Sequence, residues 1–175
     1  MNLREAQAPL KERYRTDAAA ALLTLTATAA SDDGSPVSCS VDLGRAIYEA
    51  QAHAGVGGPG TAACSGDLLL GALAACAQIT CQMVAEASGI PLRRVAVAIE
   101  GDLDLRGTLG MSRDAPAGFA AIRTRFDIEA PEATERQLRS LERTTEAYCV
   151  VLQTLMHPPR IESEWTVSPG APPTG

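Results

Sequence analysis

Residues 65–88 have the sequence SGDLLLGALAACAQITCQMVAEAS, and this stretch decides the fold. Ser65 is a favourable N-cap, Asp67 suits a first helical turn, and Gly89 followed by Pro91 is a typical helix stop. The pattern therefore predicts one long helix that is apolar on nearly every face and buried all round. Such a helix is ~36 Å long at 1.5 Å per residue. A chain of 175 residues can hardly surround it, so we predict a dimer with this helix at or near the interface.

The remaining elements follow from periodicity and turn signals. Asp33-Gly34 marks a hairpin turn, Pro131 opens a second helix at a position that tolerates proline, and residues 149–156 form a further apolar helix. Because no strand–helix repeat is present, the predicted class is α+β with mostly antiparallel pairing. Alternating apolar and polar residues predict five strands, over about 21–30, 37–48, 95–106, 121–128 and 160–167.

Length and composition describe a single folded domain. A chain of 175 residues fits one domain with a real core, and an apolar share of 46% is too high for a disordered chain. Aromatic residues make up only 3%, so small aliphatic side chains must fill the core. We interpret residues 1–19 as an N-terminal arm or short helix, 20–167 as the domain and 168–175 as a disordered tail.

Charge and hydropathy exclude several partners. The net charge is −6 and Lys11 is the only lysine, which argues against nucleic acid or an anionic membrane as partner. The N-terminus lacks the apolar core of a signal peptide. Residues 68–85 are interrupted by Gln78, Thr80 and Gln82 and lack basic anchors at their start, so we expect no membrane span. We therefore predict a cytoplasmic protein, in which the cysteines are not a disulfide framework.

Two of the five cysteines, Cys76 and Cys149, lie far apart in sequence on apolar helical stretches, which raises the hypothesis of a redox pair. In a continuous helix Cys64 lies ~18 Å from Cys76, and the side chain of Cys81 is rotated about 140° around the helix axis from that of Cys76. A disulfide needs a Cα–Cα distance of roughly 4.4–6.8 Å, so neither can pair with Cys76. Cys149 lies on a separate segment that tertiary packing can bring near. Cys39, on a predicted strand, is a second choice.

The alternative for each thiol is that it is simply a small buried apolar side chain, which is the usual role of a free cysteine in a helix. We interpret Cys39, Cys64 and Cys81 in this way. A reactive Cys76 has to ionise, because the thiolate is the nucleophile. It lies about three turns into its helix, and the helix dipole fades within the first turn. A cation must therefore reach it from elsewhere, and arginine suits that task best.

No cofactor or metal site is predicted. The glycine-rich residues 54–60 lack the Gly-Lys-Ser/Thr ending of a phosphate-binding loop. His53 and His157 do not stand in metal-ligand spacing with cysteine, and no nucleophilic-serine motif occurs.

Residues 65–76 resemble the cysteine helix of the OsmC/Ohr family, the osmotically inducible protein C-like and organic hydroperoxide resistance proteins. Residues 100–107, followed by 148–155, resemble the later part of that family, and the similarity runs over roughly 20–167. The resemblance implies an α+β fold in an OsmC-like intertwined homodimer, with a mostly antiparallel sheet around central cysteine-bearing helices.

The resemblance also implies an activity, the thiol-dependent reduction of organic hydroperoxides. Cys76 would be the peroxidatic cysteine, Cys149 the resolving one, and an external dithiol such as a lipoyl group would reopen their disulfide. In the family, the activating arginine comes from the segment before the cysteine helix. Arg45 is the only arginine between Arg15 and Arg93, so the implied catalytic set is Cys76, Cys149 and Arg45.

The chain departs from the family pattern at two positions. The family's peroxidases usually carry a glutamate ten residues before the first cysteine, where this chain has Gly66. The neighbouring Asp67 lies about 180° round the helix from Cys76. The second cysteine is usually followed by proline, where this chain has Val150. The missing glutamate favours an alternative, a non-peroxidatic dimer on the same scaffold that binds a small apolar ligand.

Overall fold

The computed structural model describes residues 3–31, 39–42, 52–58 and 63–166 of the chain. The helices are α1 (Leu3–Thr16), α2 (Ser65–Ala87), the single-turn α3 (Leu105–Thr108), α4 (Glu135–Tyr148) and α5 (Val150–Met156). The strands are β1 (Leu22–Ser31), β2 (Cys39–Asp42), β3 (Arg94–Asp104) and β4 (Phe119–Glu129). Short 3-10 turns lie at Ala18–Ala21 and Ala54–Val56. The α+β class is confirmed.

The four strands form one antiparallel sheet in the order β2-β1-β3-β4. Alternation in β3 buries Val95, Val97 and Ile99. Val97 pairs with Phe126 of β4, and Val95 pairs with Ile128, so one apolar face spans both strands. The long helix α2 packs on this sheet, mainly against β1 and β3, while α4 and α5 contact α2 from the side. The core thus lies between the sheet and α2.

Both ends of α2 have clear physical causes. The N-cap is Cys64, one residue before the predicted Ser65, and its backbone N–H donates to the Asp67 carboxylate at 2.7 Å. At the other end Gly89 has φ +64°, a left-handed conformation that favours glycine. The Gly89 N–H donates to Glu86 O at 3.1 Å and the N–H of the next residue donates to Ala85 O at 2.9 Å. This is a Schellman motif, and the predicted stop is confirmed.

The single chain covers only part of α2, in line with a chain too short to surround it, and burial of the remaining side between subunits stays a prediction. One side, with Leu70, Leu73 and Cys81, is fully buried against the sheet and α4. The opposite side carries Leu69 at 38% and Met83 at 51% exposure, because nothing in the described chain packs there. By length and composition α2 could also cross a membrane, but half of its most apolar window is buried inside the protein. A core helix passes the same test, so this is weak evidence.

Helix α4 begins later than predicted. Pro131 lies in a turn, and the helix starts at Glu135 after the N-cap Thr134. The Gln137 N–H donates to the Thr134 hydroxyl at 3.3 Å, and the Gln137 side-chain oxygen accepts from the Thr134 N–H at 2.9 Å. This capping box defines the start more strongly than proline does. The following α5 agrees with the predicted segment to within one residue.

The predicted final strand is wrong for its described part. Residues 160–166 have no regular structure, and Ile161 and Trp165 are 82% and 84% exposed. A strand needs a neighbour to satisfy its backbone groups, and within the described residues this segment has no sheet partner. The hairpin turn at Asp33-Gly34, most of the second predicted strand and the tail 168–175 lie outside the described residues.

The N-terminal arm is a helix that docks at its C-terminal end. Tyr14 of α1 is buried, and its hydroxyl donates to Gly55 O at 2.7 Å. Tyr14 packs with Ala21 and Leu105, where β3 ends and α3 begins. The Asp104 carboxylate caps that turn by accepting the Arg106 backbone N–H at 3.0 Å.

Candidate functional site

Cys76 lies in the middle of α2 and is half-buried. It packs against the main core cluster, which includes Leu73 and Ile99. Its position seven residues from both Leu69 and Met83 puts it on the partly exposed side of the helix. Its sulfur lies 3.9 Å from the Thr80 hydroxyl oxygen, one helical turn further on. A half-buried sulfur of this kind combines access for a small reagent with limited hydration.

Cys149 occupies the junction between α4 and α5 and is fully buried. Its backbone is extended, with φ −68° and ψ 101°, so it ends one helix and caps the next. Its N–H donates to Thr145 O at 2.9 Å, and its carbonyl accepts from the Gln153 N–H at 2.8 Å. No cap hydrogen bond from the described residues reaches its sulfur, but the nearby backbone N–H groups of Leu152 and Val151 in the first turn of α5 act to lower its pKa. The helix break therefore holds this thiol in a fixed position.

The fold packs the side chains of Cys76 and Cys149 in one core cluster, close enough for the two thiols to interact, although they are distant in sequence. Burial, above all, and then the neighbouring Cys76 raise the pKa of Cys149 to about 11, against the opposing effect of the Leu152 N–H. Cys149 therefore keeps its proton at neutral pH and has an S–H that can be donated to Cys76. Both sulfurs are free thiols in this structure.

The other cysteines lie elsewhere. Cys64 caps α2 and Cys81 faces α4, and burial raises the pKa of both thiols. Cys81 lies beside Thr145, on a different side of α2 from Cys76. Cys39 lies in β2, where its backbone pairs with Ser31. The interpretation of these three as structural stays a prediction.

Arg45, the predicted source of the activating cation, lies outside the described residues. Three arginines near the sheet are held by carboxylates: Arg94 by Asp127 and Glu129, Arg106 by Asp104, and Arg123 by Glu100 and Asp102. Gly66 stands in the first turn of α2, and Asp67 is used to cap that turn. Asp67 therefore does not replace the glutamate that is absent at Gly66.

Two features of the site were not found from the sequence. The first feature is the set of backbone N–H groups near the Cys149 sulfur in the first turn of α5. They are free of intrahelical hydrogen bonds there because the helix breaks at Cys149, and no sequence signal marks that break. Thr80 could have been found, because positions four apart share one face of a helix. The sequence pattern indicated Thr80 only as a polar interruption of the apolar stretch.

A separate groove of about 570 Å³ lies between α4 and β4. Its walls include apolar side chains such as Phe126 and Leu138, with Arg125 and Glu142 among the charged ones. The Thr145 hydroxyl, which lines it, is buried and lacks a conventional hydrogen-bond partner in the described chain. Across the described residues, no three histidine, cysteine or carboxylate side chains cluster in a way that could hold a metal ion.

Comparison with known proteins places this site in a family. The family model described as OsmC-like protein matches residues 58–164, which is more than half of the chain and includes both Cys76 and Cys149. No curated protein matches the sequence. The chain therefore belongs to the OsmC-like protein family.

Proposed function

We propose that the protein is a thiol-dependent reductase of organic hydroperoxides that works through Cys76 and Cys149. The observation that carries this proposal is the contact between one half-buried and one fully buried thiol, on elements far apart in sequence. The family includes members that reduce hydroperoxides, so the scaffold suits the chemistry.

The difference in burial between the two thiols supports the following roles in the proposed cycle. The Cys76 thiolate attacks the hydroperoxide O–O bond, takes the terminal oxygen as sulfenic acid, and releases the alcohol after protonation of the leaving oxygen. The Cys149 thiol then attacks the Cys76 sulfur, forming the disulfide and releasing water. An external dithiol reduces the disulfide by exchange and is itself oxidised. A resolving thiol that stays protonated until this step does not compete for the peroxide.

Activation requires that the Cys76 thiolate be favoured over the thiol. The Cys149 S–H is one donor to it, because the raised pKa of Cys149 leaves the proton on that sulfur. In this proposal Arg45 supplies the positive charge, as the family pattern implies. The proposed location is the cytoplasm, where thiols remain reduced between turnovers.

The proposed assembly is a homodimer that covers the open side of α2. Leu69, Ala72, Cys76, Ile79 and Met83 lie on this side, at alternating spacings of three and four residues, and are exposed or half-buried. This spacing is typical of a helix that packs against another helix. Size-exclusion chromatography with light scattering should give twice the 18.2 kDa chain mass. A monomer would contradict the assembly.

The direct test treats reduced protein with one equivalent of cumene hydroperoxide. We expect the loss of two thiols per chain and a peptide crosslink between Cys76 and Cys149, seen by mass spectrometry. Cys76→Ser should lose the reaction, whereas Cys149→Ser should stop at a sulfenic acid that dimedone traps on Cys76. Cys81→Ser, a buried cysteine of the same helix, is the matched control and should behave as wild type. An unchanged thiol content in the wild type would reject the proposal.

The groove between α4 and β4 supports a second candidate function, the binding of a small apolar ligand without peroxide chemistry. Its volume lies in the range of small-molecule sites. The test is the fluorescence of 1-anilinonaphthalene-8-sulfonate, which should increase when the dye binds in the groove. Leu138→Arg should abolish this increase, and Leu22→Arg, the control outside the groove, should leave it unchanged. Alkylation of Cys76 near pH 6 separates the two candidates. A peroxidatic thiolate reacts at that pH, whereas an ordinary thiol with a pKa near 8.5 reacts only slowly.

A further inference from the structure

We propose that the Thr80 hydroxyl is a hydrogen-bond donor that stabilises the Cys76 thiolate. The inference rests on the proposed function, because it assigns a role in the same reaction. The sequence does not show what favours ionisation of the Cys76 thiol, which lies about three turns into its helix. The Thr80 hydroxyl is one answer.

The geometry puts the hydroxyl on the reacting sulfur. Thr80 follows Cys76 by four residues on α2, so the two side chains lie on one face of the helix. The Thr80 oxygen and the Cys76 sulfur are 3.9 Å apart and both groups are half-buried. Sulfur has a larger radius than oxygen and accepts hydrogen bonds at longer distance. Hydrogen bonds to an ionised acceptor are shorter and stronger than neutral ones, so this contact tightens on ionisation.

Two other helical threonines, Thr154 and Thr16, use their hydroxyls differently. The Thr154 hydroxyl donates to Val150 O at 2.8 Å, and the Thr16 hydroxyl contacts Glu12 O at 3.3 Å, each four residues back. This is the usual bond of a threonine inside a helix. The hydrogen-bond contact recorded for Thr80 in the described part of the chain is instead the Cys76 sulfur. Its hydroxyl proton is therefore available to the thiolate.

The remaining surroundings explain why a neutral donor matters. The helix dipole does not reach Cys76, and Asp67 is used at the helix start. The titratable group that packs beside Cys76 in the described chain is Cys149, and its raised pKa keeps it a neutral thiol. Thr80 adds a second donor that does not titrate. A half-buried anion with two donors is better stabilised than one with a single donor, because each bond replaces part of its lost hydration.

The test is the rate at which iodoacetamide alkylates Cys76, followed by peptide mass spectrometry between pH 5 and 10. In Thr80→Val, which keeps the shape and removes the hydroxyl, we expect the midpoint of the profile to move upward. The rate at pH 6 should fall about five- to tenfold, since thiolate occupancy falls tenfold per pKa unit. The plateau at high pH should stay the same. Thr80→Ser should retain the wild-type profile, and Thr154→Val is the matched control, with no change expected.

An unchanged midpoint in Thr80→Val, or a Thr80→Ser profile that moves as far as the valine profile, would overturn the assignment. The readout needs no peroxide, so the two proposals fail separately. If the profile moves but peroxide forms no crosslink between Cys76 and Cys149, the peroxidase proposal fails and the donor role stands. If the crosslink forms and the profile does not move, the donor role fails alone. Thermal unfolding of each variant shows that the compared proteins are folded.

Discussion

The buried thiol of Cys149 should make the protein less stable in alkaline solution. In the folded chain its pKa is raised from 9.0 to about 11, mainly by burial. In the unfolded chain the thiol is hydrated and titrates at its ordinary value. Between these two pH values the unfolded state loses a proton that the folded state keeps. The free energy of unfolding must therefore fall as the pH rises.

The size of this effect follows from the pKa difference. One pKa unit corresponds to about 1.36 kcal/mol, so the shift of Cys149 represents about 2–3 kcal/mol. This stability is fully present below pH 9, falls through the interval up to pH 11, and is lost above it. That is a large share of the roughly 5–15 kcal/mol by which a domain is stable.

The assay is urea unfolding, followed by circular dichroism, at several pH values between 8 and 11.5 in the presence of a phosphine reductant. Wild type is compared with Cys149→Ser, in which the titrating group is gone. Tyr14, Cys64 and Cys81 also have raised pKa values, but both proteins contain them, so their effect cancels in the difference. We expect the stability of wild type relative to the variant to fall by about 2–3 kcal/mol across this window.

A second non-titrating variant, Cys149→Ala, is the control for packing changes. It should differ from Cys149→Ser by the same amount at every pH. A wild-type curve that runs parallel to both variants would refute the reasoning, because it would show that the Cys149 thiol titrates alike in the folded and unfolded chains.

Three further predictions concern the scaffold and are measured by urea unfolding. Gly101→Ala should cost about 1–3 kcal/mol, because the new Cβ would lie 2.5 Å from a Phe119 ring carbon; the cost should shrink when Phe119 is replaced by alanine. Thr134→Ala removes the capping box of α4 and should cost about 1 kcal/mol, and no change would mean that the box contributes nothing. The Arg106 guanidinium lowers the pKa of Asp104, so Arg106→Gln should be less stable than wild type at pH 7. That gap should begin to narrow as the pH falls below about 4, where the carboxylate of the unfolded chain is protonated, and should close only below the lowered pKa of the folded chain; a constant gap would contradict the pairing.

Much of the local structure could be predicted from the sequence, because it depends on neighbours along the chain. The alternation of Val95, Val97 and Ile99 marks β3, since side chains of a strand point to opposite faces in turn. Gly89 ends α2 because its left-handed conformation is available at little cost to glycine. Where two local signals competed, as at Pro131 and Thr134, the one with more hydrogen bonds set the start of the helix.

Other features depend on packing that no local pattern encodes. Residues 160–166 alternate like a strand, but a strand forms only where it pairs with a neighbouring strand, and within the described residues this segment pairs with none. One side of α2 stays open because the sheet, α4 and α5 cover only the other sides. The length and apolarity of α2 follow from the sequence, whereas which face is left open does not.

For the candidate site, Cys64 and Cys81 can be excluded as partners of Cys76 from the sequence, because helical geometry fixes their positions relative to it. Cys149 and Cys39 remain open at that level. The folded chain is needed to see that the junction of α4 and α5 packs on α2 with the Cys149 thiol beside Cys76. The physical reason is that this contact joins residues 73 positions apart, and its geometry is set by how apolar faces of α2, α4 and α5 pack rather than by any spacing along the chain.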